Sequence, residues 1–436
     1  MGLKGEGMES YTVQPATGVR GEITVPGDKS ISHRSIMFGS LARGTTTVQG
    51  FLRGEDNMAT LNAFRAMGVE IADDGEILTI SGQGLHGLRE PGDVVDCGNS
   101  GTSIRLLTGL LAGQNFFSVL TGDQYLRKRP MKRVVAPLAL MGAVIHGRDG
   151  GEKAPLAIVG GGLKGIDYAS PVASAQVKSA ILLAGLYADG ETTVTEPHRS
   201  RDHSERMLAH FGATIRVTDR GATVAGGREM EGREIVVPGD ISSAAFFLVA
   251  GLIVPGSELL IKGVGVNPTR TGIIDILLAM GGDITLQDQR HLSGEPVADL
   301  LVRSSSLKGI EIKGELIPRA IDEFPVVAIA AAMAEGVTTI RDAKELRVKE
   351  TDRISATAAN LRSAGVSVVE TDDGMIVTGR GRLDGCTVES RGDHRIAMAM
   401  LIGGLAAAAP VTVTDIGCIA TSFPRFMSLL EQVARP

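Results

Sequence analysis

Tryptophan is absent and aromatic side chains make up only 3% of the chain. Stacking platforms for nucleic-acid bases are therefore excluded as an organising feature. The three cysteines, Cys97, Cys386 and Cys418, are scattered without a CxxC pair, so neither a zinc site nor a disulfide framework is indicated, and a reducing cytoplasm suits them. Excess positive charge is missing too: the net charge is −6, which favours neither nucleic acid nor an acidic membrane surface. Any anionic ligand must then be met by cations gathered locally. The first residues show no apolar signal core. Residues 396 to 413 form one uncharged stretch of eighteen, long enough in principle to span a bilayer. Gly403-Gly404 and Pro410 interrupt it, and a buried helix followed by a strand is the simpler expectation.

Length and glycine are plentiful. The 436 residues allow two domains with separate cores, and 57 glycines imply many tight turns. A helix-like apolar run ending in a small-residue turn and a Thr/Val-rich strand recurs six times, with turn positions 44, 113, 190, 256, 336 and 409. A second marker interleaves with the first: a helix end running into Gly68, Gly142, Gly212, Gly281 or Gly365 and then a strand. Each of these glycines fits a left-handed cap after an amphipathic helix. The repeat is about seventy residues, two helices alternating with strands. Val25-Pro26-Gly27-Asp28 returns as Val237-Pro238-Gly239-Asp240, a higher-order duplication at an offset of 212. Two lobes of three repeats follow: residues 24–237 form an N-terminal lobe, 1–23 with 238–436 form a discontinuous C-terminal lobe, and hinges lie near 24 and 237. The G-x-G-x-x-G matches at 82–87 and 160–165 fall at equivalent places in two repeats, so they read as turns and not as a dinucleotide site.

Residues that break the repeat are the candidates for chemistry. Lys29, Ser30 and Arg34 follow the first Pro-Gly-Asp, where a helix is expected to begin; the second copy has Ile241, Ser242 and Phe246 instead. Free N–H donors at a helix start, joined by cations, make a receptor for phosphate or carboxylate. Asn99-Ser100-Gly101-Thr102-Ser103 offers backbone N–H groups with room for close approach at Gly101, although a plain N-cap would look the same. Residues 126–133 hold five basic side chains in eight, more often a solvated face than a site, but Pro130 pins Arg129 at a helix entrance. Ser174-Ala175-Gln176-Val177-Lys178 is expected to precede a helix over 180–186. His203 reads as a structural cap partner. In the second half, Asp322-Glu323 stands before a long apolar helix, Lys349 and Arg353 are expected four apart on one helical face, and Arg391-Gly392-Asp393-His394-Arg395 opens the last apolar helix. Arginines at helix starts oppose the dipole, and an anionic ligand is the expected compensation.

These residues, in this order, resemble the 5-enolpyruvylshikimate-3-phosphate synthases, an enolpyruvyl transferase family, along essentially the whole chain. The resemblance is carried by Gly27-Asp28-Lys29-Ser30, Asn99-Ser100-Gly101-Thr102, Arg129-Pro130-Met131, Ser174 to Lys178, Asp322-Glu323-Phe324-Pro325, Lys349-Glu350-Thr351-Asp352-Arg353 and Asp393-His394-Arg395. Arg201-Asp202-His203-Ser204-Glu205 and Asn267-Pro268-Thr269-Arg270 look like signatures of a second, glyphosate-tolerant class. The resemblance implies a two-domain inside-out α/β barrel, each domain three βαβαββ repeats with helices inside and sheets outside. It implies transfer of the enolpyruvyl group of phosphoenolpyruvate to the 5-hydroxyl of shikimate 3-phosphate, with no metal or organic cofactor. The expected setting is a cytoplasmic monomer whose partners are these two small molecules, without nucleic acid or membrane.

The resemblance also implies roles. Shikimate 3-phosphate falls to Lys29, Ser30, Arg34, Ser174, Ala175, Gln176, Arg201, Asp322 and Lys349. Phosphoenolpyruvate falls to Lys29, Asn99, Gly101, Arg129, Gln176, Glu350, Arg353 and Arg395. Asp322 would take the hydroxyl proton, and Glu350, with Lys29, would protonate the methylene carbon. Some family members carry a lysine before the C-terminal Phe-Pro, whereas Thr421-Ser422-Phe423-Pro424-Arg425 has none. Two rival readings remain. A UDP-N-acetylglucosamine enolpyruvyl transferase uses a loop cysteine near the Arg129 segment, and residues 121–133 contain none. A non-catalytic polyanion-binding scaffold would have no use for Asp322 or Glu350.

Overall fold

The computed structural model describes residues 10–435. The readings of the first nine residues, as lacking a signal core and as part of the C-terminal lobe, lie outside the described residues. The chain divides into two compact units: one holds Gly27–Pro238 with His291–Glu295, the other the described residues up to Pro26, Gly239–Arg290 and Pro296 onward.

In the first unit three interior helices, Lys29–Leu41, Gly101–Ala112 and Ala175–Gly185, are buried on nearly every face. Apolar and small residues cover most of their surface, and even Arg34, Arg105 and Lys178 are buried, so all three are inner helices. Three sheets cover them. Ala42–Gln49 pairs antiparallel with Ile77–Gln83, which pairs with Glu70–Asp73. Phe117–Thr121, Lys153–Val159 and Val144–Gly147 repeat that hairpin, and so do Glu191–Thr195, Gly221–Ala225 and Ile215–Thr218. The second and third sheets each take one parallel strand from the repeat before them, Val95–Asp96 and Asp167–Ala169. Met230–Glu231 and Glu234–Val236 return to the first, closing a ring of three. Strand Ala42–Gln49 buries Ala42, Thr46 and Val48 while Arg43, Thr45 and Gln49 face out, so the sheets form the outer layer. His291–Glu295 belongs here, fixed by Glu295 Oε1 at 2.7 Å from His203 Nδ1 and by Ser293 Oγ accepting from Val236 N.

The second unit repeats the plan. Its interior helices are Ile241–Ile253, Phe324–Met333 and His394–Leu405, and all thirteen residues of the first are buried. Glu258–Gly265 pairs antiparallel with Glu295–Arg303 and parallel with Gly18–Thr24. Glu335–Ile340, Gly374–Arg380 and Ser367–Thr371 form the next sheet, with Glu311–Ile312 parallel at its edge. In the last sheet Ser10–Val13 takes the antiparallel place against Val411–Thr414, and Cys386–Glu389 the parallel one. The early residues thus complete the fourth and sixth repeats. Phe246, Phe247, Phe423 and Phe426 meet as an aromatic knot, with Phe423 and Phe426 edge to face at 5.5 Å. Truncating one of them to alanine costs about 3–5 kcal/mol.

The five cap glycines all take positive φ, between 79° at Gly365 and 96° at Gly142, as the helix-end pattern requires. Neither G-x-G-x-x-G segment runs into a helix. The uncharged stretch is the helix His394–Leu405 followed by the strand Val411–Thr414, and among the described residues no helix is long and apolar enough to cross a membrane.

Two expectations need correction. The third interior helix begins at Ala175, not 180, because the Ser174 hydroxyl caps it by accepting from Val177 N. Lys349 is not on a helix with Arg353: Lys344–Val348 is a short 3₁₀ turn, Lys349 is extended, and the helix Arg353–Ser363 starts only after Asp352 caps it.

Candidate active site

In the first unit the three interior helices present their N-termini together. Asp28 caps the first by accepting from Ile31 N at 2.9 Å, and Ser100 caps the second by accepting from Ser103 N at 3.0 Å. Cross-links tie them side by side. Gln176 Nε2 donates to Thr102 Oγ1 at 3.1 Å, and Arg34 donates through Nε to Ser204 Oγ and through Nη2 to Ser179 Oγ, at 2.7 and 2.8 Å. Lys29, Ser30, Asn99, Arg129, Ser174, Ala175, Gln176 and Arg201 are all half-buried at this end.

Arg34 is 3% exposed and makes no hydrogen bond to a carboxylate among the described residues; its third nitrogen donates to the Ser30 carbonyl at 3.0 Å. Burial pushes its guanidinium down to about 10, against the attraction of Glu205 and Asp28. Such a buried cation favours an anion at the helix entrance above it. Lys29 Nζ rests on Asp56 at 2.5 Å. Arg129 donates through Nη2 to Asn99 Oδ1, while Asn99 Nδ2 donates to Asp123 at 2.7 Å, so Asp123 fixes which end of the amide faces the arginine. Most of the basic run behaves differently: Arg127, Lys128 and Lys132 are exposed, while Arg133 is half-buried.

Gly101 lies between two guanidiniums. A β-carbon there would sit 2.9 Å from Arg105 Nη1 and 3.0 Å from Arg129 Nη1. Arg105 is absent from the sequence reading, yet its Nη1 holds Gln176 Oε1 at 2.6 Å and it is 5% exposed. A lone arginine inside the apolar run Ile104 to Leu111 was the available signal. Lys178, Glu196 and Glu205 were also missed as a set. Lys178 Nζ is 2.9 Å from Glu196 and 2.8 Å from Glu205, all three buried. Burial alone would lower the ammonium, but Glu205 and Glu196 outweigh it and hold it above its ordinary value. Glu196 in turn accepts from Ser174 N at 2.7 Å and Ser200 Oγ at 2.7 Å, anchoring the loops that carry Ser174 and Arg201.

In the second unit, acids occupy the corresponding helix starts. Arg353, 1% exposed, donates through Nε to Asp393 at 2.8 Å, through Nη1 to Asp322 at 3.4 Å and through Nη2 to Glu350 at 2.7 Å. Burial works against the charged guanidinium, but Asp393, Glu350 and Asp322 overcome it and raise it further, so Arg353 never yields its proton. The compensation expected from an anionic ligand at this helix start comes instead from three protein carboxylates. With a fourth contact, Nη2 to Asp393 Oδ1, one of its five N–H donors, on Nη1, has no partner among the described residues. Lys349 Nζ also reaches Asp322, at 3.5 Å, so leaving the helix does not part them. Asp393 is fully buried and caps the last helix by accepting from Arg395 N. Asp322 and Glu350 keep 17% and 30% side-chain exposure. Arg395 is half-buried with no acid paired to its side chain among the described residues.

The arrangement gives one unit a cluster of helix N-termini and cations suited to phosphate and carboxylate. The other holds two accessible carboxyl groups on adjacent nitrogens of one fixed cation, a pairing suited to proton transfer. The chain is similar to known proteins along nearly its whole length. The family model described as EPSP synthase (3-phosphoshikimate 1-carboxyvinyltransferase) matches residues 13–430. The 3-phosphoshikimate 1-carboxyvinyltransferase of Geotalea daltonii is 75% identical over 98% of this chain and 99% of its own, and that of Geobacter sulfurreducens 73% identical over 98% and 100%. The solved structure of EPSP synthase from Acinetobacter baumannii is 49% identical with a TM-score of 0.89, covering 98% of both chains.

Proposed function

Because the chain belongs to the EPSP synthase family, we propose that its two residue sets divide the work of that reaction between holding anions and moving protons. The chain is a transferase. It moves the enolpyruvyl group of phosphoenolpyruvate to the 5-hydroxyl of shikimate 3-phosphate and releases phosphate, and transfer to UDP-N-acetylglucosamine is not favoured.

Bond making fixes what the residues must do. The 5-hydroxyl oxygen bonds to the central carbon of phosphoenolpyruvate and loses a proton, while the methylene carbon gains one. When the C–O bond to phosphate breaks, the methyl group returns a proton and the double bond reforms. Asp322 takes the hydroxyl proton, and Glu350, with Lys29, serves the methylene carbon. The observation that carries this reading is the shared guanidinium of Arg353, which holds Asp322 and Glu350 on neighbouring nitrogens. A positioned acid–base group contributes about 10²–10⁴-fold.

Lys29, Ser30, Arg34, Ser174, Ala175, Gln176, Arg201 and Lys349 hold shikimate 3-phosphate, with Arg34 acting mainly through its charge from beneath Ser30. Asn99, Gly101, Arg129, Gln176, Arg395 and the remaining Nη1 donor of Arg353 hold phosphoenolpyruvate beside Lys29. Both substrates are anions, so fixed cations offset the repulsion that would keep them apart. The same reading places the hinges between the lobes near residues 24 and 237 and has the chain act as a cytoplasmic monomer. Phosphate release tests it: turnover with shikimate 3-phosphate and none with UDP-N-acetylglucosamine is expected. Lys349→Met should raise KM for the first substrate and Arg129→Lys for phosphoenolpyruvate. If neither KM moves, the residue roles fall.

A further inference from the structure

His33 lies inside the helix that carries Lys29, Ser30 and Arg34, wholly buried, and no role above uses it. Its Nδ1 is 2.8 Å from Thr60 Oγ1, which is 2.6 Å from Ser103 Oγ, which is 2.7 Å from Ser100 Oγ. All four residues have zero exposure. The chain therefore runs without solvent from the Lys29 helix, through the helix Glu55–Ala66, to the residue between Asn99 and Gly101.

The direction of each bond follows from what each oxygen has left to give. Ser103 donates its hydroxyl hydrogen to Ser100, or alternatively to the Asp56 carbonyl at 3.4 Å. The Thr60–Ser103 contact allows either donor, but with the Ser103 hydrogen given to Ser100 the Ser103 Oγ accepts from Thr60, and the Thr60 hydrogen is committed. Thr60 must then accept from His33, which requires the hydrogen on Nδ1. Nε2 is left as a buried lone pair with no partner among the described residues. A proton there would be repelled by Lys29 and Arg34 more than Asp28 attracts it. The same middle helix also grips the lysine segment directly, through Asn57 Nδ2 on the Lys29 carbonyl at 3.0 Å and Asp56 on Lys29 Nζ.

We propose that His33, as the neutral Nδ1–H tautomer, is a positioning residue for phosphoenolpyruvate: it sets the polarity of the Thr60–Ser103–Ser100 chain and so holds the Asn99–Gly101 loop in register with the Lys29 helix. The inference rests on the assignment of that loop to phosphoenolpyruvate. Its effect falls on the KM for phosphoenolpyruvate, because the chain ends at that loop and touches neither Asp322 nor Glu350.

Side-chain isosterism supplies the test. Asparagine places an N–H donor where Nδ1 stands, whereas glutamine can place one only near Nε2. His33→Asn should keep the KM for phosphoenolpyruvate within about twofold. His33→Gln and Thr60→Val should each raise it about tenfold, the loss expected for one buried polar link, with kcat and the KM for shikimate 3-phosphate little changed. The double variant should be no worse than either single one. Nitrogen NMR of the unaltered protein should show Nδ1 protonated and Nε2 bare from pH 6 to 9. An Nε2–H tautomer, or His33→Gln behaving like His33→Asn, overturns the proposal. If Arg129→Lys leaves the KM for phosphoenolpyruvate unchanged while the tautomer is as stated, the loop assignment fails and the hydrogen-bond chain stands.

Discussion

Nε of Arg353 lies 2.8 Å from Oδ2 of Asp393, with 1% and 0% of the two side chains exposed. Neither group can be hydrated, so Asp393 depends on the guanidinium, and the guanidinium on Asp393 together with Asp322 and Glu350. Asp393→Asn keeps the shape and removes the charge. The second unit should lose about 3 kcal/mol of stability, read by denaturant melting, and kcat should fall more than KM rises. A fall in stability with kcat unchanged would separate the pair from catalysis.

Lys178 is the mirror case in the first unit, a buried ammonium between two buried acids. Lys178→Met should destabilise by about 3–5 kcal/mol, because Glu196 and Glu205 are left facing each other. Glu196 also holds Ser174 N, so the KM for shikimate 3-phosphate should rise as well. The ammonium is raised in the folded state, so its contribution is fully present below the unfolded value of 10.5 and is lost as pH climbs through the folded one.

Gly101→Ala would put a methyl group 2.9 Å from Arg105 Nη1 and 3.0 Å from Arg129 Nη1. These are the far ends of flexible side chains, so the fold should survive with a change of about 1 kcal/mol or less. The guanidiniums must move, and steady-state kinetics should show the KM for phosphoenolpyruvate raised about tenfold or more with stability nearly unchanged.

Much of this was legible before any coordinates. Gly68, Gly142, Gly212, Gly281 and Gly365 marked helix ends because only one backbone conformation suits that place, and they took it. Lys29 and Arg34 stood out because the second copy of the repeat has Ile241 and Phe246 there, Asn99, Arg129 and Asp322 by their places at expected helix starts, and Glu350 through the family resemblance. What stayed hidden was partnership. Nothing near Glu196 in the chain announces Lys178, and nothing near Asp393 announces Arg353, since forty residues separate them. Lys349 was misplaced on a helix because spacing alone cannot reveal that Asp352, and not an earlier residue, supplies the cap.

His33 makes the stability of the first unit depend on mild acid. Burial first, then Lys29 and Arg34, lower its folded-state pKa well below the ordinary 6.5. The unfolded chain therefore binds a proton below about pH 6.5 that the native state refuses, and stability should fall by about 1.4 kcal/mol for each further unit of acid. His33→Asn has no such proton to take up. Melting curves between pH 7.5 and 5 should be flatter for that variant, and equal slopes for both proteins would contradict the burial of a neutral imidazole.

The most direct trial of the account is the turnover number of Asp322→Asn, measured as phosphate released from phosphoenolpyruvate and shikimate 3-phosphate at saturation. The amide fills the same volume beside Arg353 and Lys349 but cannot accept the hydroxyl proton. The account requires kcat to drop about 10²–10⁴-fold with both substrates still bound. A variant turning over within about threefold of the unaltered protein would place the base elsewhere.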